Sequence, residues 1–128
     1  MQKNILIVDD SPTLRASVRF VLSSEGNYNI YQADNGKVAL QRLKEIKAKG
    51  ERINLIISDI NMPEMNGLEF LRELKKPDSE FRFIPVIILT TEKEDELKKK
   101  GKLYGAAGWM VKPFKPPLLL SVVKKFIR

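Results

Sequence analysis

Cysteine and histidine are both absent from this 128-residue chain. Without cysteine there are no disulfides, thiolate metal sites or cysteine nucleophiles. Without histidine there is no imidazole acid–base catalysis and no histidine-ligated metal. Long hydrophobic runs are missing too: no stretch approaches the roughly 18 apolar residues that a membrane-spanning helix needs. The N-terminus enters an apolar, strand-like run by Ile5, leaving no room there for a signal peptide. These absences lead us to expect a soluble cytoplasmic protein with no membrane partner. Whatever chemistry it performs must come from carboxylates, hydroxyls, amides and ammonium groups.

Those groups are placed where short apolar runs end. Ile5-Leu6-Ile7-Val8 runs into Asp9-Asp10, Leu55-Ile56-Ile57-Ser58 into Asp59, Val86-Ile87-Ile88-Leu89 into Thr90-Thr91, and Trp109-Met110-Val111 into Lys112-Pro113. Continuous runs rich in Ile and Val read as strands of a parallel sheet buried on both faces. In such sheets ligands bind beyond the carboxyl ends of the strands. Three acids, a hydroxyl and a lysine are therefore expected to converge at one sheet edge.

Helical patterns separate the strands. Ser11-Pro12 is a capped start, followed by Leu14, Val18 and Val21 on one face, and Gly26 can end the helix. A second strand runs from Tyr28 to Ala33. Asn35-Gly36 opens a helix with Ala39, Leu43 and Ile46 inward, ending near Gly50. Leu68, Leu71 and Leu74 line a third helix after the loop Asn61-Met62-Pro63-Glu64-Met65-Asn66-Gly67. Glu92–Tyr104 reads as a weak helix: its apolar positions are Leu97, Leu103 and Tyr104, and Gly101 inside it costs roughly 1 kcal/mol against alanine. Pro117–Ile127 closes the chain with Leu119, Val122, Val123 and Phe126 inward. Five β-α units without repeats or a linker imply one α/β domain over residues 1–128, built as a doubly wound sheet.

Asp9, Asp10 and Asp59 at one edge repel one another, and a hard divalent cation, Mg²⁺ or Mn²⁺, would relieve that repulsion with oxygen ligands alone. A cation, the Lys112 ammonium and the Thr90 hydroxyl around one carboxylate form a receptor for a phosphoryl group. Asp59 is the candidate nucleophile for an acyl phosphate, because the adjacent Asp9 and Asp10 are suited to holding the ion.

The order Asp9-Asp10, Asp59, Thr90 and Lys112-Pro113, with Asn61-Met62-Pro63-x-Met65-x-Gly67, resembles the receiver domain of bacterial response regulators along the whole chain. That resemblance implies a flavodoxin-like (βα)5 fold with strand order 2-1-3-4-5. It implies that Asp59 accepts phosphate from a histidine kinase, since this chain has no histidine of its own. Asp10, Asp59 and the Asn61 backbone carbonyl would hold Mg²⁺, with Asp9 acting through water. Thr90 and Lys112 would contact the phosphoryl oxygens, and the bond before Pro113 would be cis. Trp109 occupies the position of the family's inward-swinging switch aromatic, where tyrosine or phenylalanine is more usual. Asn61 and Glu92, with Thr91, hold the positions that tune acyl-phosphate lifetime and access. Self-assisted phosphorylation and dephosphorylation, rather than enzymatic turnover, is implied.

The net charge of +7 arises entirely after residue 92: residues 1–92 hold 13 basic and 13 acidic side chains, and residues 93–128 hold ten and three. This basic end is either a solvated face or a surface for an acidic partner. It coincides with the family's output face, helix 4, strand 5 and helix 5, with Lys98, Lys99, Lys102 and Trp109 as the candidate contacts. The resemblance to chemotaxis regulators, with Asn61 and Glu92 at the tuning positions, implies a monomer whose output partner is the flagellar motor switch and which a phosphatase resets. The alternative is an intermediate carrier or phosphate sink in another relay. A haloacid-dehalogenase-type phosphatase would need an acid where Asn61 stands. A flavin or dinucleotide binder would not place two carboxylates after strand 1. Specific nucleic-acid recognition is not expected, because the lysines are not interleaved with base-reading residues.

Overall fold

Side-chain parity along the central strands assigns each apolar residue to one of two faces, since successive residues of a strand point to opposite sides. In the computed structural model, which describes residues 2–127, ten elements alternate. They are β1 (Lys3–Val8), α1 (Pro12–Ser23), β2 (Tyr28–Ala33), α2 (Gly36–Ala48), β3 (Leu55–Ser58), α3 (Gly67–Leu74), β4 (Val86–Thr90), α4 (Asp95–Leu103), β5 (Gly108–Val111) and α5 (Pro116–Phe126). All neighbouring strands pair in parallel, in the order β2-β1-β3-β4-β5. The expected flavodoxin-like arrangement is therefore the observed one.

Leu6, Val8, Ile56, Val86 and Ile88 face one side and pack with Ala39, Leu43 and Ile46 of α2 and Phe70, Leu71 and Leu74 of α3. Ile5, Ile7, Leu55, Ile57, Ile87 and Leu89 face the other and meet Val18 and Leu22 of α1 and Leu119 and Val123 of α5. Each such fully buried side chain contributes about 1.5–3 kcal/mol of transfer free energy. The sheet is thus covered on both faces, which accounts for the absence of polar alternation in β1, β3 and β4.

Local chemistry sets the helix starts. The Ser11 hydroxyl accepts from the Leu14 amide at 3.2 Å, with Pro12 opening α1. Asn35 caps α2 through the Val38 amide at 2.9 Å. Asn66 and Glu69 form a reciprocal capping box on α3. Neither α4 nor α5 has a side-chain cap.

Several boundaries depart from the sequence reading for identifiable reasons. α4 begins at Asp95, not Glu92, because Glu92 is engaged by its neighbours outside the helix and Glu94 is extended. α5 begins at Pro116, one residue early. Phe126 is 36% exposed and Ile127 is buried in its stead, since the chain turns extended at Ile127 and exchanges their faces. Leu103 is exposed, and the inward set of α1 continues from Val18 to Leu22, with Val21 only half-buried. Phe70, absent from the expected inward set of α3, is fully buried, and Leu68 is half-buried.

Register sets the strand ends in two tiers, with β4 and β5 running two residues past β1 and β3. Val8 lies opposite Ser58, Ser58 opposite Ile88, and Thr90 opposite Val111. The ladder extends one residue further into the site: the Asp9 amide donates to the Ala33 carbonyl (3.0 Å), the Asp59 amide to the Val8 carbonyl (2.9 Å), and the Lys112 amide to the Thr90 carbonyl (2.8 Å).

Candidate functional site

The residues at the ends of these strands meet at the carboxyl edge of the sheet. Lys112 bridges two of them: its ammonium donates to Asp9 Oδ2 and to Asp59 Oδ2, each at 2.9 Å. The other oxygen of each acid is held by backbone. Asp9 Oδ1 accepts from the Ser11 amide at 2.9 Å, and Asp59 Oδ1 from the Ile60 amide at 2.6 Å. Asp9 and Asp59 are buried, whereas Asp10 is exposed. One carboxylate oxygen from each of the three acids lies within 4.8 Å of the others.

Burial and pairing act in opposite directions here. Burial raises the Asp9 pKa above the ordinary carboxylate value; the hydrogen bonds from Lys112 and Ser11 only partly offset it, and the charge of Asp59 adds to the rise. For Lys112 burial acts downward, but two hydrogen-bonded carboxylates outweigh it and hold its pKa above the ordinary lysine value. The two directions are compatible, because one ammonium is shared between two buried acids. A single positive charge among three carboxylates leaves the site anionic. An all-oxygen donor set of that charge and spacing fits a hard divalent cation.

Thr90 is fully buried at the end of β4, and its hydroxyl accepts from the Glu92 amide at 3.3 Å. Thr91 points outward and is exposed. Asn61 and Glu92 meet: the Asn61 amide nitrogen Nδ2 donates to Glu92 Oε1 at 2.9 Å. Trp109 is half-buried, packs with the α2–α3 core cluster, and donates from Nε1 to the Glu92 carbonyl at 3.3 Å. The Lys112–Pro113 peptide bond is cis. Lys98, Lys99 and Lys102 are exposed on α4, apart from the carboxylate cluster.

Two contributors escaped the sequence reading. Arg15 donates from Nη1 to the Asp9 carbonyl and from Nε to Gln32 Oε1 at 3.1 Å, tying α1 and β2 to the end of β1. Its only sequence signal is its position four residues after the Ser11 cap, on the side of α1 that turns toward the acids. Gly67, read from the sequence as part of a loop motif, has a steric role. A Cβ there would lie 2.0 Å from the Asp59 carbonyl oxygen and 2.8 Å from Ile60 Cα. Its amide donates to the Ile60 carbonyl at 2.8 Å, so the start of α3 lies directly against the backbone that carries Asp59.

Known proteins resemble the chain in sequence and in fold. The chain is 34% identical over 125 residues to the transcriptional regulatory protein YdfI of Bacillus subtilis, covering 97% of this chain but 54% of YdfI, about half the length of that relative. It is 35% identical over 115 residues to the chemotaxis protein CheY1 of Helicobacter pylori, covering 90% of this chain and 89% of CheY1. The structure of the chemotaxis protein CheY4 of Vibrio cholerae superposes with a TM-score of 0.84 at 38% identity, covering 99% of this chain and 100% of the other. The response regulator receiver domain family matches residues 5–124. With that match spanning nearly its whole length, and a five-stranded sheet that brings Asp9, Asp59 and Lys112 together, the chain belongs to the response regulator receiver domain family.

Proposed function

We propose that this chain is a phosphorylation-dependent switch of a two-component system, in which Asp59 receives a phosphoryl group from a phosphohistidine on a partner kinase. The observation that carries the reading is the Lys112 ammonium bridging Asp9 and Asp59 at 2.9 Å each, with Asp10 beside them. Asp10, Asp59 and the Asn61 backbone carbonyl would hold Mg²⁺, with Asp9 acting through water. The ion would supply charge neutralisation of the phosphoryl oxygens when bound.

This chain's own residues account for the rest. The Ile60 amide and the Lys112 ammonium fix the Asp59 carboxylate through one bond to each oxygen, and a remaining lone pair attacks phosphorus as the bond to the donor nitrogen breaks. Lys112 then neutralises charge on the transferred group. Thr90, whose hydroxyl is 0% exposed and bonded to the Glu92 amide, must re-aim to reach that group, and the segment Thr90–Glu92 moves with it. Asn61 and Glu92 flank the path of the hydrolytic water and tune how long the acyl phosphate persists.

The output is binding in the cytoplasm, through α4, β5 and α5, where the exposed Lys98, Lys99 and Lys102 favour an acidic partner segment. Similarity over nearly the full length of chemotaxis proteins supports the flagellar motor switch as that partner. The 54% coverage of a transcriptional regulator keeps a second reading, a receiver serving as carrier or sink in another phosphorelay. The test is transfer from a phosphorylated histidine domain. Label passing to the wild type and not to Asp59→Asn supports the reading, and equal labelling of both proteins refutes it.

A further inference from the structure

Four glycines carry backbone or steric requirements that are easily named: Gly26, Gly50 and Gly105 have positive φ, and Gly67 abuts the Asp59 carbonyl. Gly101 has neither a positive φ nor another stretch of backbone against it. It lies inside α4 with helical backbone, where glycine costs about 1 kcal/mol against alanine, in a helix that also lacks a side-chain cap. Gly101 is nevertheless buried, and what buries it is the Trp109 ring. A Cβ at residue 101 would lie 2.8 Å from Trp109 Cζ3 and 3.1 Å from Cε3. These atoms form one edge of the six-membered ring. At the opposite side of the indole, Nε1 donates to the Glu92 carbonyl at 3.3 Å. The side chain is therefore held at both ends, by a missing methyl group on α4 and by a carbonyl of the β4–α4 segment.

Glu92 is the junction of three elements. Its amide donates to the Thr90 hydroxyl, its carbonyl accepts from Trp109, and its carboxylate accepts from Asn61, two residues beyond Asp59. The contacts run without a break from the phosphoacceptor loop through Glu92 and the indole to the middle of α4.

We propose that Gly101 is a positioning residue: it forms the seat for the Trp109 indole and thereby mechanically couples α4 to the Thr90–Glu92 segment. Residues 101 and 109 are then a matched pair, a larger ring accommodated by a smaller helix residue. Any side chain at 101 unseats the indole, frees the Glu92 carbonyl and uncouples α4 from the site. The link to phosphorylation rests on the function proposed above, whereas the seat itself does not.

Trp109 is the only tryptophan, so its fluorescence reports the seat directly. Emission and acrylamide quenching are compared for wild type and Gly101→Ala, first unphosphorylated and then with Mg²⁺ and a small acyl-phosphate donor, with intact mass followed in parallel. In the unphosphorylated protein, Gly101→Ala is expected to shift emission to longer wavelength and to raise the quenching constant. An unchanged spectrum overturns the proposal. After phosphorylation, wild-type emission is expected to respond and that of Gly101→Ala to respond little, although both carry the added phosphoryl mass. Equal responses overturn the coupling. If neither protein gains the mass from the small donor or from a phosphohistidine donor, the phosphoacceptor reading fails and the unphosphorylated spectra still decide the seat.

A rescue separates positioning from general damage. Alanine at 101 is expected to lower the thermal midpoint beside Trp109 and to raise it in a Trp109→Tyr background, where the smaller ring leaves room for the methyl group and helix propensity dominates. A midpoint that moves in the same direction in both backgrounds overturns the pairing. Should Gly101→Ala alone fail to fold, folding of Gly101→Ala/Trp109→Tyr supports the pairing and failure of both refutes it.

Discussion

Substituting Gly67 by alanine tests whether the start of α3 positions Asp59. The new Cβ would lie 2.0 Å from the Asp59 carbonyl oxygen and 2.8 Å from Ile60 Cα. A relaxed carbon–oxygen approach is about 3.3–3.6 Å, so the two backbones must separate by roughly 1.3 Å or more. Neither can yield easily, because Asp59 and Ile60 are buried and the Gly67 amide is bonded to the Ile60 carbonyl. Overpacking of this kind costs about 1–3 kcal/mol, offset by up to about 1 kcal/mol of helix propensity. A net loss of that order lowers the melting temperature by roughly 3–10 °C for a chain of this length. The effect on chemistry is expected to be larger: displacing a reacting group by about 1 Å can cost 10²-fold in rate. Phosphorylation by a small donor is followed by mass, alongside a thermal melt. Gly26→Ala is the control, with φ of +77° and nothing within 4 Å of its Cβ. It should lose about 1–2 kcal/mol from backbone strain alone and phosphorylate at the wild-type rate. Wild-type stability and wild-type phosphorylation in Gly67→Ala would refute the steric argument.

Further outcomes follow from the same geometry. Lys112→Met leaves two buried carboxylates without their shared cation, so urea denaturation without metal should show a loss of about 3 kcal/mol, recovered in part by Mg²⁺. Asp9 binds its proton more tightly folded than unfolded, chiefly through burial, so its contribution to stability falls as pH rises from the ordinary carboxylate value through its raised folded value. Asp9→Asn should therefore flatten the stability–pH profile in that window and stabilise the metal-free protein at neutral pH, while weakening Mg²⁺ binding in a calorimetric titration. Asn61→Ala and Glu92→Ala should change the acyl-phosphate half-life non-additively, because the two side chains bond each other; strictly additive effects would show that the bond has no role. Reversing Lys98, Lys99 and Lys102 to glutamate should abolish phosphorylation-dependent partner binding, read by pull-down with and without the acyl-phosphate donor.

The centre of the sheet was legible because β1, β3 and β4 are short, unalternated Ile/Val runs that lead straight into polar residues. Asp9, Asp59, Thr90 and Lys112 were found by that rule, and the register explains why it works: four parallel strands end within two residues of one another at the same sheet edge. Helix faces were less legible. A spacing of three or four fits two neighbouring residues equally well, so Leu22 and Phe70 went unassigned. Phe126 was misplaced by assuming that α5 keeps its helical geometry to the end. α4 proved shorter than its pattern because Glu92 bonds to Thr90, Asn61 and Trp109, contacts invisible to local periodicity. Gly101 looked like a weakness when read along the chain. In space it is occupied by a ring eight residues away, and no periodicity argument joins the two. Arg15 and Gly67 support the site through backbone carbonyls, which leave no chemical signature in side-chain identity.

The proposed switch stands or falls on metal-dependent phosphorylation of Asp59. The most direct test is the intact mass of wild type and Asp59→Asn after incubation with Mg²⁺ and a small acyl-phosphate donor, with and without chelator. One added phosphoryl group is expected on the wild type with Mg²⁺, and none on Asp59→Asn or in the chelated sample. A phosphoryl group on Asp59→Asn, or on the wild type in chelator, would contradict it, as would no adduct on a wild-type protein shown to bind Mg²⁺ and to accept nothing from a phosphohistidine donor.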